Sequence, residues 1–286
     1  MTTELDGLYF PEALRWHEGS LWFSDMFASR VVRWTPGDEA QTVIDRASGC
    51  PEMPGGLGWL PAEHDPRGAG ALLVVDCLQR RVMALRDGAL SVHAELSEHF
   101  DYPANDMHVD ADGTAWVGSY GFDPDAEPPR PSALVRVAAD GTVEATSSRF
   151  VFPNGCERDA GGRLVVAETF ADRLSVLGEP GDDAIVLCEL APGSGPDGLS
   201  VAASGEIFVA LAFARGVIAV DPSGRGPQRL AYSPAPIIDG PAAGDLACYD
   251  CAVEPGGARI AIAVASADEE LAAREPTGRI VMLDLP

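Results

Sequence analysis

"NGCERDAGGRLVVAETFADRLSVL" (154–177) decides the fold. It holds a short irregular run (NGCERD), a glycine turn, an apolar run ending on an acid (GRLVVAE), a second turn and another apolar run (DRLSVL). Short β-branched runs separated by turn residues read as antiparallel strands joined by hairpins. The same order recurs along the chain. "GSLWFSD", "GALLVVD", "GTAWVGS", "GRLVVAE", "GEIFVAL" and "ARIAIAV" end at residues 25, 76, 119, 168, 211 and 264, so the spacing runs from 43 to 53 residues. Each is followed by a partner: "RVVRW", "RRVMAL", "SALVRV", "DRLSVL", "RGVIAV" and "GRIVML". Each is preceded by a less regular strand: "EALRWH", "GGLGWL", "NDMHVD", "NGCERD", "DGLSVA" and "YDCAVE". A unit of that size, repeated six times, predicts an all-β, six-bladed β-propeller rather than a sandwich. The last unit ends on its third strand, so the N-terminal segment is expected to close the sixth blade, making residues 1–286 one domain. The only helical run, "ADEELAARE", falls within an insertion in unit six (265–277); unit three carries another, 120–131.

Composition narrows the partners. With 44 acidic against 20 basic residues the chain carries a formal charge of −24. That argues against nucleic acid or an anionic membrane, both of which need a basic footprint. No apolar run is long enough to span a bilayer, and the acidic start "MTTELDGLYF" lacks a secretory pattern. A cytoplasmic protein acting on a small molecule, as a monomer or weak homo-oligomer, is the expectation. The six cysteines are read as reduced and mostly buried, including Cys248 and Cys251 of the single C-x-x-C. No G-x-S-x-G, P-loop or G-x-G-x-x-G occurs, which disfavours a serine hydrolase and nucleotide cofactors. His108 lies three residues past Asn105, where packing is the expected role, and "DADG" (110–113) reads as a turn.

Propellers bind ligands where inner strands converge. Aligned on their hairpins, the units place Glu12, Gly56, Asn105, Asn154, Asp197 and, roughly, Asp250 at that position. Asn and Asp before Gly also favour plain turns. Their shared phase points instead to one oxygen-rich ring. Oxygen donors without His or Cys suit a hard divalent cation, and a Glu–Asn–Asp trio supplies two negative charges.

These residues resemble the senescence marker protein / gluconolactonase / luciferin-regenerating enzyme family of six-bladed propellers, along essentially the whole chain. Its Glu-Gly-Pro-x-Trp motif stands here as "EALRW", keeping Glu12 and Trp16; "PNG" and "PDG" match at Asn154 and Asp197. The resemblance implies Glu12, Asn154 and Asp197 as metal ligands, Asp197 also as general base, and Asn105 as a catalytic and substrate contact. Calcium is the expected ion, with zinc, magnesium or manganese as substitutes. Sugar-lactone members tend to carry Arg two residues before that Asn; here it is Pro103. A more apolar or aromatic lactone is therefore expected, contacted by Tyr102, Phe122, Met26, Phe27 and Asp250. Two alternatives are an isomerase, dehydratase or cyclase on the same metal site, and a non-catalytic binding platform.

Overall fold

The computed structural model describes residues 3–238 and 240–285. Six four-stranded antiparallel sheets form the blades of a β-propeller, and among the described residues helix is confined to one α-helix and three 3-10 turns. The inner strands are Pro11–His17, Pro54–Leu60, Ala104–Val109, Pro153–Arg158, Pro196–Val201 and Leu246–Val253. Blades one to five follow chain order from inner to outer strand. In blade six Thr3–Leu8 pairs antiparallel with Gly278–Asp284, so the N-terminal strand is the outermost one, as expected. Closure of this kind staples the first blade to the last and leaves no open inner edge.

Alternating apolar residues on both faces of each blade build the core. Leu60, Val75, Met107 and Val117 interlock blades two and three; Val165, Leu174, Leu199 and Val209 do so for four and five. Comparable clusters fill the other blade junctions. The acids that end the second strands also have a structural role. Asp25, Asp76 and Glu168 each pair with the arginine opening the next strand, at 2.6 Å, 3.0 Å and 2.7 Å. All six cysteines are buried and free. Asp110 opens the expected turn at "DADG", receiving the Gly113 N–H on its carbonyl.

The Pro-Asn-Gly and Pro-Asp-Gly runs are not turns. They lie inside the inner strands, four of which open on proline, a residue tolerated as the first of a strand. Each inner strand shifts register against its neighbour just after that point: between Glu12 and Arg15, Pro54 and Leu57, Ala104 and Met107, Pro153 and Cys156, Pro196 and Leu199, and Cys248 and Asp250. Such bulges re-aim side chains. Six of them at one level turn a ring of side chains into the channel.

Glycine follows the ring position for a packing reason. A Cβ on Gly155 would stand 2.7 Å from both the Asp197 carbonyl oxygen and the Gly198 Cα, and one on Gly198 would strike Asp250. The clash is with backbone, which has no rotamer to yield. Gly155→Ala is expected to cost about 3 kcal/mol, at the upper end for overpacking. Urea unfolding measures it; a loss below about 0.5 kcal/mol would show that adjacent inner strands can separate freely.

Candidate active site at the mouth of the ring

The bulges fix which residues are in phase. Glu12, Asn105, Asn154 and Asp197 occupy equivalent places, as expected, each one residue after the first of the six-strand level. The remaining two places belong to Gly55 and Tyr249; Gly56 and Asp250 lie one residue further on. The sequence alignment slipped there because glycine pairs and the longer blade-six strand give no internal marker.

The four polar ring residues are enclosed. Asn105, Asn154 and Asp197 are 8%, 9% and 6% exposed, and Glu12 is half-buried because it faces the open mouth. Burial first, then the negative charges of Asp197, Asp250 and Asp106, holds Glu12 well above the usual carboxylate range. Burial, then Asp250, Asp106 and Glu269, does the same to Asp197, while the neighbouring Asn154 amide works the other way. These groups therefore share one electrostatic site. Asn154 is oriented by its amide nitrogen, 3.3 Å from the Thr169 hydroxyl, which itself donates to the Pro196 carbonyl at 2.8 Å. The Asn105 amide nitrogen has no partner although it is buried. An orphaned donor of that kind is costly unless something else occupies the site.

Backbone strain collects at the same level. Ala13, next to Glu12, has φ +53°, and Phe152, two residues before Asn154, has φ +56°. Left-handed backbone at a bulky aromatic costs of order 1 kcal/mol or more and persists where its surroundings over-determine it. At Ala13 the Leu14 N–H, donated to the Asp250 carboxylate, holds the turn.

Directly beneath lies an ionic layer that sequence reading missed. The Arg15 guanidinium is 2.9 Å from both Asp106 oxygens and 3.5 Å from Asp250. Burial works against its charge, yet Asp106 and Asp250 keep its pKa raised. Asp250 is pushed up to about 7, chiefly by burial and against the pull of Arg15. Its oxygens accept from the Leu14 and Cys251 N–H groups, so they serve the scaffold rather than a ligand, contrary to the substrate role expected for it. The signal was present in "EALRW" and "NDMHVD": Arg15 and Asp106 each follow a ring residue closely.

A cavity of about 380 Å³ opens below this layer, lined by Trp16, Trp59, His108 and Glu157 among others. Its polar groups are already paired: His108 Nε2 lies 3.2 Å from Asp110, and Glu157 accepts from the Val201 N–H at 2.9 Å. The ring of Glu12, Asn105, Asn154 and Asp197 lies at the upper end. There Phe10 packs on Tyr249 and Phe27 with ring centroids 4.3 Å and 4.5 Å apart, joined by Met26. Opposite, Tyr120, Phe152, Phe170 and Phe213 form a chain of contacts at 4.5–5.4 Å. Phe122 is fully buried behind Phe152 and Phe170, so it supports the wall and offers no surface to a ligand, which corrects its expected role. Tyr102 bonds Glu127 at 2.7 Å and carries Arg130 over its ring, on the rim of the blade-three excursion.

Among the described residues no three His, Cys, Asp or Glu side chains are arranged to hold a metal by themselves. The set here has a different composition: two mutually repelling carboxylates, with a carboxamide beside one of them. That chemistry fits a hard divalent cation, which would relieve the repulsion, and does not fit a thiolate- or imidazole-bound metal. No described helix is long and apolar enough to cross a membrane.

Comparison with known proteins agrees with this architecture. A gluconolactonase from Xanthomonas campestris superposes with a TM-score of 0.70 at 18% identity, covering 98% of this chain and 88% of its own. A luciferin-regenerating enzyme gives 0.74 at 15%, covering 100% and 95%. The calcium-binding protein regucalcin from Agrobacterium tumefaciens gives 0.71 at 18%, covering 97% and 91%. At these identities the likeness is one of fold. No curated protein matches the sequence significantly. The family signal is in the sequence itself: residues 10–243 match the SMP-30/gluconolactonase/LRE-like region, a span that contains Glu12, Asn105, Asn154 and Asp197. The chain belongs to the SMP-30/gluconolactonase/LRE-like family.

Proposed function

We propose that the protein is a divalent-metal-dependent lactonase that opens a cyclic ester of apolar or aromatic character. The observation that carries this reading is the pairing of half-buried Glu12 with buried Asp197, in phase with Asn154 and with the unpartnered Asn105 amide at an aromatic mouth. Glu12, Asn154 and Asp197 would hold the ion, with calcium the first choice by analogy with the regucalcin neighbour. When bound, the ion supplies Lewis-acid chemistry for ester hydrolysis.

The remaining work falls to the chain. Asp197 accepts a proton from the attacking water on a carboxylate oxygen and returns it to the departing alkoxide, so its starting state is restored. The Asn105 Nδ2–H donates to the ester carbonyl oxygen, satisfying a donor that the protein leaves open. The aromatic walls exclude bulk water and seat an apolar ring. No covalent nucleophile is available from cysteine: burial pushes the Cys50 and Cys248 thiols up to about 12 and raises Cys77, Cys156 and Cys251 as well. Pro103 supplies no donor toward a polyhydroxylated ring, and its carbonyl is engaged by the Tyr120 N–H.

The test is hydrolysis of alkyl-, aryl- and sugar-lactones by chelated protein, before and after adding calcium, magnesium, manganese or zinc. Apolar lactones should be opened only in the metal-restored samples, and faster than gluconolactone. A metal-stabilised protein inert to every lactone would replace hydrolysis with another metal-assisted step.

A further inference from the structure

The guanidinium of Arg15 crosses the channel. One of its nitrogens donates to both carboxylate oxygens of Asp106 at 2.9 Å and to the Met107 carbonyl at 2.8 Å. Another donates to the Leu14 carbonyl at 2.8 Å and stands 3.5 Å from Asp250. Arg15 belongs to the inner strand of blade one, Asp106 and Met107 to that of blade three, and Asp250 to that of blade six. Blade two lies between one and three, and at this level it offers only Gly55 and Gly56. Both are pressed onto blade three. A Cβ on Gly55 would stand 2.8 Å from the Asn105 carbonyl oxygen, and one on Gly56 would stand 2.3 Å from the Met107 nitrogen. Arg15 reaches past these glycines to the residues on either side of the Asp106–Met107 peptide.

The place it grips is a bulge. The register of blade three shifts between Ala104 and Met107, and Asn105 is aimed into the channel from inside that shift. Asp106 ties the bulge locally by accepting the Met107 N–H at 2.7 Å; Arg15 ties it from across the ring. The fork is largely enclosed, with the Arg15 side chain 20% exposed, so solvent screens it little. Asn105 depends on this tie more than Asn154 does. Asn154 is held by the Thr169 hydroxyl, whereas the buried Asn105 amide nitrogen has no partner. The aim of Asn105 is therefore inherited from the backbone of residues 104–107, and two of those four carry the Arg15 contacts. Arg15 also closes the blade-one shift that aims Glu12. That bulge keeps an independent anchor, the Leu14 N–H donated to Asp250. Loss of the guanidinium fork should disturb Asn105 more than Glu12.

We propose that Arg15 is a positioning residue for lactone opening: by holding the Asp106–Met107 segment across the channel, it fixes the direction in which Asn105 presents its Nδ2–H to the ester carbonyl. The inference rests on the lactonase reading above and assigns part of its geometry to a residue outside the metal site. Lysine cannot take over the role, because a single ammonium lacks the planar fork that reaches Asp106, Met107 and Leu14 together.

The chain contains two asparagines, Asn105 and Asn154, and both stand in the ring. Isotopic nitrogen labelling of asparagine therefore gives NMR signals from two side-chain amides, told apart with Asn154→Ser. In Arg15→Lys the Asn105 signals should move and broaden while those of Asn154 stay in place. For the lactone that the wild type opens fastest, kcat should fall about 10²-fold in R15K, the cost of a small misplacement, with KM and calcium affinity nearly unchanged. Arg15→Ala adds a rescue. Arg15 borders the lower cavity, so free guanidinium has a route to the vacated place. On the order of tens of millimolar, far below denaturing concentrations, it should return the Asn105 signals and kcat toward wild type, and neutral urea should not. Asn105 signals that ignore R15K, or a loss in R15A that urea repairs as well as guanidinium does, overturn the inference. If the Asn105 signals respond and are rescued while the wild type opens no lactone, the hydrolase reading fails and the Arg15 tie stands. If the wild type opens lactones and R15K does so with undiminished kcat, the inference fails and the hydrolase reading stands.

Discussion

Asp197→Asn is expected to lower kcat/KM for the best lactone by about 10³-fold, in the range seen when a general base is removed. The same substitution should make the metal-free protein more stable. Asp197 is buried in the field of Asp250 and Asp106 and acts in turn on Glu12, so burial and like charge oppose its ionisation more than the Asn154 amide favours it. Asparagine keeps the shape and the contact with Asn154 but carries no charge, so a gain of about 1 kcal/mol or more is expected in the absence of metal. An opposite movement of activity and stability is the signature of a residue held for function at the expense of the fold. Activity within tenfold of wild type would remove Asp197 from the reaction. A large loss of stability would show that the carboxylate is a structural element instead.

The second large effect is on pH and metal together. Glu12, Asp197 and Asp250 all have folded-state pKa values raised above their ordinary carboxylate range, Asp250 to about 7. A raised acid binds its proton more tightly folded than unfolded. Its stabilising contribution is complete below the unfolded value, about 4, and is lost as pH rises through the folded value. The metal-free protein should therefore lose stability steadily from about pH 5 to pH 8. Below about pH 4 other acids take over, because Asp65, Asp110, Asp159 and Asp172 are held low by arginine or backbone N–H partners and lose those partners' support on protonation. A divalent ion needs the ring carboxylates ionised, so its affinity should increase over the same interval and cancel most of the loss. Thermal melts at pH 5, 6, 7 and 8, with chelator and with millimolar calcium, check this. A chelated protein whose midpoint is flat or rising across that range contradicts the charge cluster.

How much of this was legible in the sequence depended on which features repeat. Strand runs such as "GRLVVAE" and "DRLSVL" recur in the same order, so blade number, hairpins and closure by the N-terminal strand could be read directly. Asn105, Asn154 and Asp197 were readable for the same reason, each eight residues before the glycine that opens the next strand, and Glu12 stands seven before Gly19. Blade two has only glycines at that place, and blade six has Tyr249 in a longer strand, so nothing distinguished Gly55 from Gly56 or Tyr249 from Asp250. The bulges were invisible too, because a register shift leaves no trace in composition. Arg15 and Asp106 meet across 91 residues, a pairing that only the folded chain defines. Phe122 looked like a ligand contact because it stands on the excursion; packing by Phe152 and Phe170 turned it inward.

The central claim, that Glu12, Asn154 and Asp197 grip one divalent ion at the mouth of the ring, is tested most directly by calorimetric titration of calcium into chelator-treated protein at pH 7.5, for wild type, Glu12→Gln and Asp197→Asn. The account predicts one ion per chain in the wild type and at least a hundredfold weaker binding in each variant, roughly the 2.7 kcal/mol expected from losing one charged ligand. Binding of equal strength in all three proteins would contradict it.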